Sequence, residues 1–275
     1  MALIPPFFLD TVVAIGTINE NGQTAWVGTG FLYGKFESKD GENKQYRVYL
    51  VTNKHVIINL KTIVLRFNPQ TNQAATDFKE LLSKPNGTPT WTGHPDPNVD
   101  VAVLSIDTKI LDQRGLKYSF FQSDDHSLTI NDMLTNGISE GDFLYVLGFP
   151  MGIVAEDRQH VILRQGVIAR IRDLFEKRSK DFIVDALVFP GNSGGPIVLI
   201  PEVVSVQGTQ ANSKANLIGL IKSYIPYQDI AISQQTNKAR VIFEENSGLS
   251  IAEPVDHILE TIIEDLRIKT LPNSG

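Results

Sequence analysis

Short apolar runs, separated by clusters of polar and turn-forming residues, recur along most of the chain. Thr11–Ile18 (TVVAIGTI), Ala25–Tyr33, Tyr46–Thr52 (YRVYLVT), Ile63–Asn68 (IVLRFN) and Val101–Ile106 read as strands, because β-branched and aromatic side chains fit a pleated, buried surface. Glu20-Asn21-Gly22 supplies a hairpin turn between the first two. A second series follows: Asp142–Phe149 (DFLYVLGF), Val161–Ile171, Asp181–Phe189, Pro196–Ile200, Leu217–Tyr224 (LIGLIKSY) and Ser247–Ala252. The polar segments Gly34–Lys44, Ser205–Lys214 and Tyr227–Asn246 read as surface loops or insertions, the last of them holding a hairpin or long insertion over Ile230–Glu245. Leu111–Gly141 carries the weakest pattern. Its polar stretch Gln122–Ser127 marks a boundary between two halves, residues 1–120 and 121–275.

From Pro254 the period changes. Val255, Ile258, Leu259, Ile262, Ile263 and Leu266 follow helical spacing with Pro254 near the first turn, so a helix is expected over 254–267 with one face on the second lobe. Many short strands and one late helix define an all-β barrel or sandwich. No internal repeat or low-complexity segment interrupts the series.

Composition narrows the function classes. The 275 residues suit one two-lobed domain or two small ones, and 42% hydrophobic with 20% charged residues is ordinary for a globular chain. A net charge of −6 disfavours nucleic acid and anionic membrane surfaces as partners. The absence of cysteine removes disulfides, metal–thiolate sites and cysteine nucleophiles together. The apolar start Met1–Leu9 lacks a basic leader region and is broken by Pro5-Pro6, and no uncharged run reaches the ~18–20 residues of a membrane span. A cytoplasmic protein is the expectation, with a leader already removed left open.

Candidate chemistry centres on Phe189-Pro190-Gly191-Asn192-Ser193-Gly194-Gly195-Pro196, ahead of the apolar run Ile197–Ile200. A serine flanked by glycines in a turn feeding a strand suits nucleophilic catalysis, which needs an exposed hydroxyl and nearby N–H groups aimed at a developing oxyanion. Taken alone, the stretch reads more readily as a plain turn between strands. His55 ends the Tyr46–Thr52 strand and Asp100 opens the Val101–Ile106 strand; each alone is readable as a capping or strand-start residue. Together they occur in the order His…Asp…Ser, which separates the chymotrypsin-type triad from the subtilisin and α/β-hydrolase orders.

The sequences around these residues carry a family resemblance. Val51–Ile57 (VTNKHVI), Asp100–Asp107 (DVAVLSID) and Pro190–Pro196 (PGNSGGP) resemble the His, Asp and Ser blocks of trypsin-like serine peptidases, most of all the HtrA-like (Deg) branch. Gly148–Gly152 (GFPMG), Gln165–Ala169 (QGVIA) and Gly248–Pro254 (GLSIAEP) are similar to further blocks of that branch, so the likeness spans residues 11–266. It implies two six-stranded antiparallel β-barrels with a C-terminal α-helix and a cleft between the lobes. The first lobe carries His55 and Asp100, the second Ser193. The likeness implies Ser193 as nucleophile, His55 as general base and acid, Asp100 as orienting carboxylate, and the Gly191 and Ser193 N–H groups as the oxyanion hole, with no cofactor and no metal.

For the substrate pocket the resemblance points to Leu187, six residues before Ser193, to Gly219-Leu220-Ile221 as wall, and to Ser250, where HtrA-like sequences usually have glycine. An apolar Leu187 favours small or medium apolar residues before the scissile bond, although Leu187 is equally readable as a core residue. Too few residues follow the helix for a PDZ domain, and the start lacks an Ile-Val-Gly-Gly-type activation site. The partners expected are a protein or peptide substrate and, because HtrA-like sites often depend on neighbouring loops, a regulatory loop or partner protein. Oligomeric state is left open. Two other readings stay open: a catalytically silent binding or chaperone module, and a dedicated processing hydrolase for one precursor.

Overall fold

The apolar runs of the first half form strands buried on both faces, which is why they read as runs rather than as alternations. The computed structural model describes residues 4–202 and 211–270. The first lobe contains β1 (Val12–Ile18), β2 (Thr24–Asp40), β3 (Asn43–Thr52), the one-turn helix α1 (Lys54–Ile57), β4 (Thr62–Pro69), β5 (Thr76–Leu81), β6 (Thr92–Gly93), β7 (Ala102–Ser105) and helix α2 (Thr108–Gln113). Its strands lie in the order β5-β4-β1-β2-β3-β7-β6, and the short β8 (Leu116–Lys117) and β9 (Phe121–Gln122) pair with β4 and β2.

The second lobe contains α3 (Ile130–Thr135), β10 (Phe143–Gly148), β11 (Ile162–Arg170), α4 (Arg172–Phe175), β12 (Phe182–Asp185), β13 (Pro196–Leu199), β14 (Leu217–Ile232), β15 (Ala239–Pro254) and α5 (Val255–Thr270). Its six strands close into a barrel in the order β10-β11-β12-β15-β14-β13.

Side-chain alternation divides the interior into three cores. Val13, Ile15, Leu32, Val48, Leu50, Ala102 and Leu104 fill the first lobe. Their neighbours Val12, Ala14, Phe31, Tyr33, Tyr49, Val51, Val101 and Val103 face the other way and pack with Leu147, Phe149, Val198, Leu217 and Leu220 of the second lobe. Leu144, Val146, Ile168, Phe182, Val184, Ile197 and Leu199 fill the second barrel. Each fully buried large apolar side chain contributes about 1.5–3 kcal/mol, so the shared core, not the connecting segment, holds the lobes together.

The all-β, two-lobed plan with a C-terminal helix is as expected, with informative differences. The first sheet curls without a hydrogen-bonded seam between β5 and β6. The intervening chain carries Pro85 and Pro89, and Pro95 and Pro97 follow β6; none has an N–H to donate, and β6 is only two residues long. Polar Gly34–Lys44 is not a loop: β2 and β3 run through it as a hairpin, with Arg47 Nε donating to Glu37 Oε1 at 2.7 Å across the strands. Over 227–246 the hairpin option is the one formed, a two-stranded ribbon of β14 and β15 paired from Tyr227↔Glu245 to Ile232↔Ala239. Of the expected loop 205–214, residues 205–210 lie outside the described residues.

Helix α5 does not rest on the second lobe alone. Val255, Ile258 and Ile262 enter the shared core, and the helix also lies against β6 and β7 of the first lobe. There Thr92 Oγ1 donates to Asp265 Oδ1 at 2.8 Å. Among the described residues, no helix is long and apolar enough to cross a membrane.

Candidate active site

His55 is delivered by the end of β3. Asn53 has extended backbone and precedes α1, whose Val56 and Ile57 are buried and anchor the turn. β3 pairs antiparallel with β7 through Thr52↔Ala102, so two further residues along each strand bring Asp100 level with α1. Asn53 Nδ2 donates to the Asp100 carbonyl at 2.7 Å, fixing the two segments together. Asp100 then meets His55 twice: Oδ1 accepts from the His55 N–H at 3.1 Å, and Oδ2 pairs with His55 Nδ1. Burial works against the Asp100 charge, but the hydrogen bonds and charge of His55, with Lys222 beyond, hold its carboxyl below the usual range. An ionised carboxylate on Nδ1 needs the proton on that nitrogen and leaves Nε2 as the free base.

Ser193 arrives from the second lobe on a turn held by main-chain contacts. The Asn192 N–H donates to the Phe189 carbonyl at 2.9 Å, and the Met151 N–H donates to the Pro190 carbonyl at 2.6 Å. A planar trans peptide points its N–H opposite to its C=O, so the Gly191 N–H is turned away from Met151. Gly191 has φ +100°, and a Cβ there would stand 2.4 Å from the Phe149 carbonyl oxygen. Only glycine fits both conditions. Among the described residues, the Gly191 and Ser193 N–H groups have no acceptor, as an oxyanion hole requires.

Ser193 Oγ donates to the Lys222 carbonyl at 3.5 Å and makes no hydrogen bond to His55. Both nonetheless line one cavity of about 230 Å³, whose other walls are Val188, Phe189, Pro190 and the β14 segment Ile221–Tyr224. The structure thus brings together His55, Asp100, Gly191, Ser193 and Ile221. The other expected pocket residues lie elsewhere. Leu187 is 45% exposed and faces Leu163, Arg164 and Gln165 on the outer surface. Leu220 is buried in the shared core, and Gly219 packs its backbone against Glu253. Ser250 is buried, its Oγ donating to the Ala186 carbonyl at 3.1 Å.

Three residues matter here that the sequence reading passed over. Thr29, on β2, supports the serine turn from the opposite lobe. Its Oγ1 donates to the Gly191 carbonyl at 2.6 Å and accepts from the Phe149 N–H at 3.1 Å, while its own N–H donates to the Ser193 carbonyl at 2.9 Å. Lys222, partly exposed, pairs with the buried carboxylate of Glu253 behind Asp100, at 2.9 Å. A charged residue inside an otherwise apolar strand was the available signal for both.

A closed barrel packed on a curled half-barrel sheet, with an ionisable pair on one lobe and a glycine-cradled serine on the other, matches the double-barrel architecture of the trypsin-like peptidases. The sequence profile of the trypsin-like peptidase domain matches residues 28–202, and the chain belongs to that family. Two curated relatives, each described as a probable periplasmic serine endoprotease DegP-like, come from Chlamydia pneumoniae and Chlamydia muridarum. Each is 28% identical over 195 residues, which is 70% of this chain and 30% of the relative's own length. The chain is therefore a trypsin-like, HtrA-like protease domain that spans less than a third of those relatives.

Proposed function

We propose that the chain is a serine endopeptidase working through His55, Asp100 and Ser193. The observation that carries this reading is the convergence of the Asp100-bound His55 and Ser193 on one cavity, beside the unengaged Gly191 and Ser193 N–H groups. Turning Ser193 Oγ from the Lys222 carbonyl to His55 Nε2 completes the triad. His55 then takes the hydroxyl proton as Oγ attacks the scissile carbonyl, and returns it to the leaving amine. Asp100 holds the tautomer and stabilises the imidazolium, and the acyl-enzyme is released by water along the same path.

The cavity walls Val188 and Ile221 are apolar, which supports small or medium apolar residues before the scissile bond. Tyr224 lines the cavity and continues along β14 into the exposed ribbon, so the ribbon is the element best placed to pass a regulatory contact to the site.

Labelling with a fluorophosphonate probe tests the nucleophile, and a peptide series varying the residue before the cleaved bond tests the pocket. The wild type is expected to label, Ser193→Ala and His55→Ala are not, and Val or Ala substrates are expected to outpace Lys and Arg. A folded wild type that does not label, alone or with unfolded protein added, would replace this reading with that of a silent binding module.

A further inference from the structure

Behind Asp100 lies a carboxylate that the triad chemistry leaves unused. Glu253, near the end of β15, is fully buried, and both its oxygens are engaged. Oε1 accepts from the Asp100 N–H and from Lys222 Nζ, each at 2.9 Å, and Oε2 pairs with His257 Nδ1 at 2.6 Å. A buried carboxylate is costly unless charge and hydrogen bonds compensate. Burial pushes its proton affinity up, but His257, the Asp100 N–H and Lys222 together hold it below the usual range, so it is ionised.

Lys222 touches both halves of the site. Its Nζ donates to the Asn98 carbonyl at 3.0 Å, in the segment leading to Asp100, while its own carbonyl receives Ser193 Oγ. Asp100 is thus clamped on both sides of its backbone, its carbonyl by Asn53 and its N–H by Glu253. Only the second clamp comes from the serine's lobe.

We propose that Glu253 is a positioning residue of the active site: paired with Lys222, it fixes the Asp100 backbone across the lobe boundary and so sets the geometry of the His55–Asp100 pair. The inference rests on the catalytic reading above. The aim of a short side chain such as aspartate follows its main chain closely, and among the described residues the Asp100 N–H donates to Glu253 alone. The charged and titratable groups facing Glu253 are Asp100, Lys222 with Asp181 behind it at 3.5 Å, and His257. Beyond His257, its ring lies 5.3 Å from that of His94, which pairs with Glu260 at 2.8 Å.

Two paired substitutions test this without stranding a buried charge: Lys222→Met with Glu253→Gln, and Lys222→Met with Glu253→Leu. The first keeps an acceptor for the Asp100 N–H and the second removes it. One readout is the low-field proton resonance of His55 Nδ1–H, assigned by its loss in His55→Ala and visible without turnover. The other is the rate of fluorophosphonate labelling.

The Leu pair is expected to lose or shift the resonance and to label about 10–100-fold more slowly, the scale of a small misplacement of a catalytic group. The Gln pair is expected to keep the resonance and label within a few-fold of wild type at a similar thermal midpoint. A folded Leu pair with wild-type resonance and labelling overturns the proposal. Where the Leu pair does not fold, the smaller truncation Lys222→Met with Glu253→Thr decides by the same two readouts, and a folded Thr pair with wild-type resonance and labelling overturns the proposal. A wild type that shows the resonance but does not label sinks the catalytic reading instead, and the resonance in the two pairs still judges Glu253.

Discussion

On the first lobe, a single carboxylate makes the contact: Asp100 meets His55 at the ring and at the main-chain N–H. On the second, the Ser193 turn is held by carbonyls and N–H groups of Phe189, Pro190, Met151 and Thr29, with Gly191 at φ +100° and Gly194 at φ +82°. A substitution on the first side therefore removes one interaction and leaves the frame standing. On the second side it moves the frame, because several contacts share the same peptide planes.

Asp100→Asn should produce the largest effect. It replaces an acceptor on His55 Nδ1 with an amide that can donate, so the wrong tautomer is favoured, and turnover is expected to fall by about 10⁴-fold with the fold intact. Steady-state kinetics with circular dichroism as control measures it. An Asn variant that also unfolds would erase the contrast between the two sides.

Gly191→Ala should act on both activity and stability. The methyl would stand 2.4 Å from the Phe149 carbonyl oxygen at a positive φ, so the turn must shift. A rate loss of about 10²–10³-fold follows from a misplaced oxyanion donor, with about 1–3 kcal/mol of strain in denaturant unfolding. Wild-type values for both would show that the turn is softer than its contacts imply.

Thr29→Val keeps the shape but removes the hydroxyl that donates to the Gly191 carbonyl. The buried group left short of a partner makes a loss of about 1–3 kcal/mol the expectation, read in the same unfolding assay.

The smallest effect depends on pH. Burial works against the Glu140 charge, but the N–H groups of Ile171 and Arg172 and the Ser139 hydroxyl outweigh it and lower its carboxyl to about 2. A depressed carboxylate stabilises the fold above its unfolded value, near 4.5, and loses that contribution as pH falls through about 2. Glu140→Gln should therefore destabilise the second lobe at neutral pH and match wild type near pH 2. An equal difference at both pH values would rule out the charge as the cause.

Much of this arrangement was legible in the sequence, for identifiable reasons. His55, Asp100 and Ser193 each sit at a strand end inside a distinctive local block, and local blocks survive in sequence. Thr29 and Glu253 were not legible, because their partners lie 162 and 153 residues away. Leu187 shows how narrow the margin is within a single segment. Side chains of an extended chain alternate faces, so one residue's offset puts Leu187 outside and Val188 in the cavity wall. The β2–β3 ribbon escaped, and the β14–β15 ribbon was legible only as a hairpin or an insertion, because strands exposed on both faces carry no hydrophobic alternation. The curled seam of the first sheet follows from missing proline donors, which the composition showed without showing where the sheet would need them.

Helix α5 completes a surface that the chain lays down long before it. Val99, Val101 and Val103 share a core with Val255, Ile258 and Ile262, and Thr92 and His94 bond to Asp265 and Glu260. During synthesis, the lobe that is made first must wait with that flank bare until the helix has cleared the ribosome. Ser193 has thus already been translated while the first-lobe flank beside Asp100 still lacks its cover.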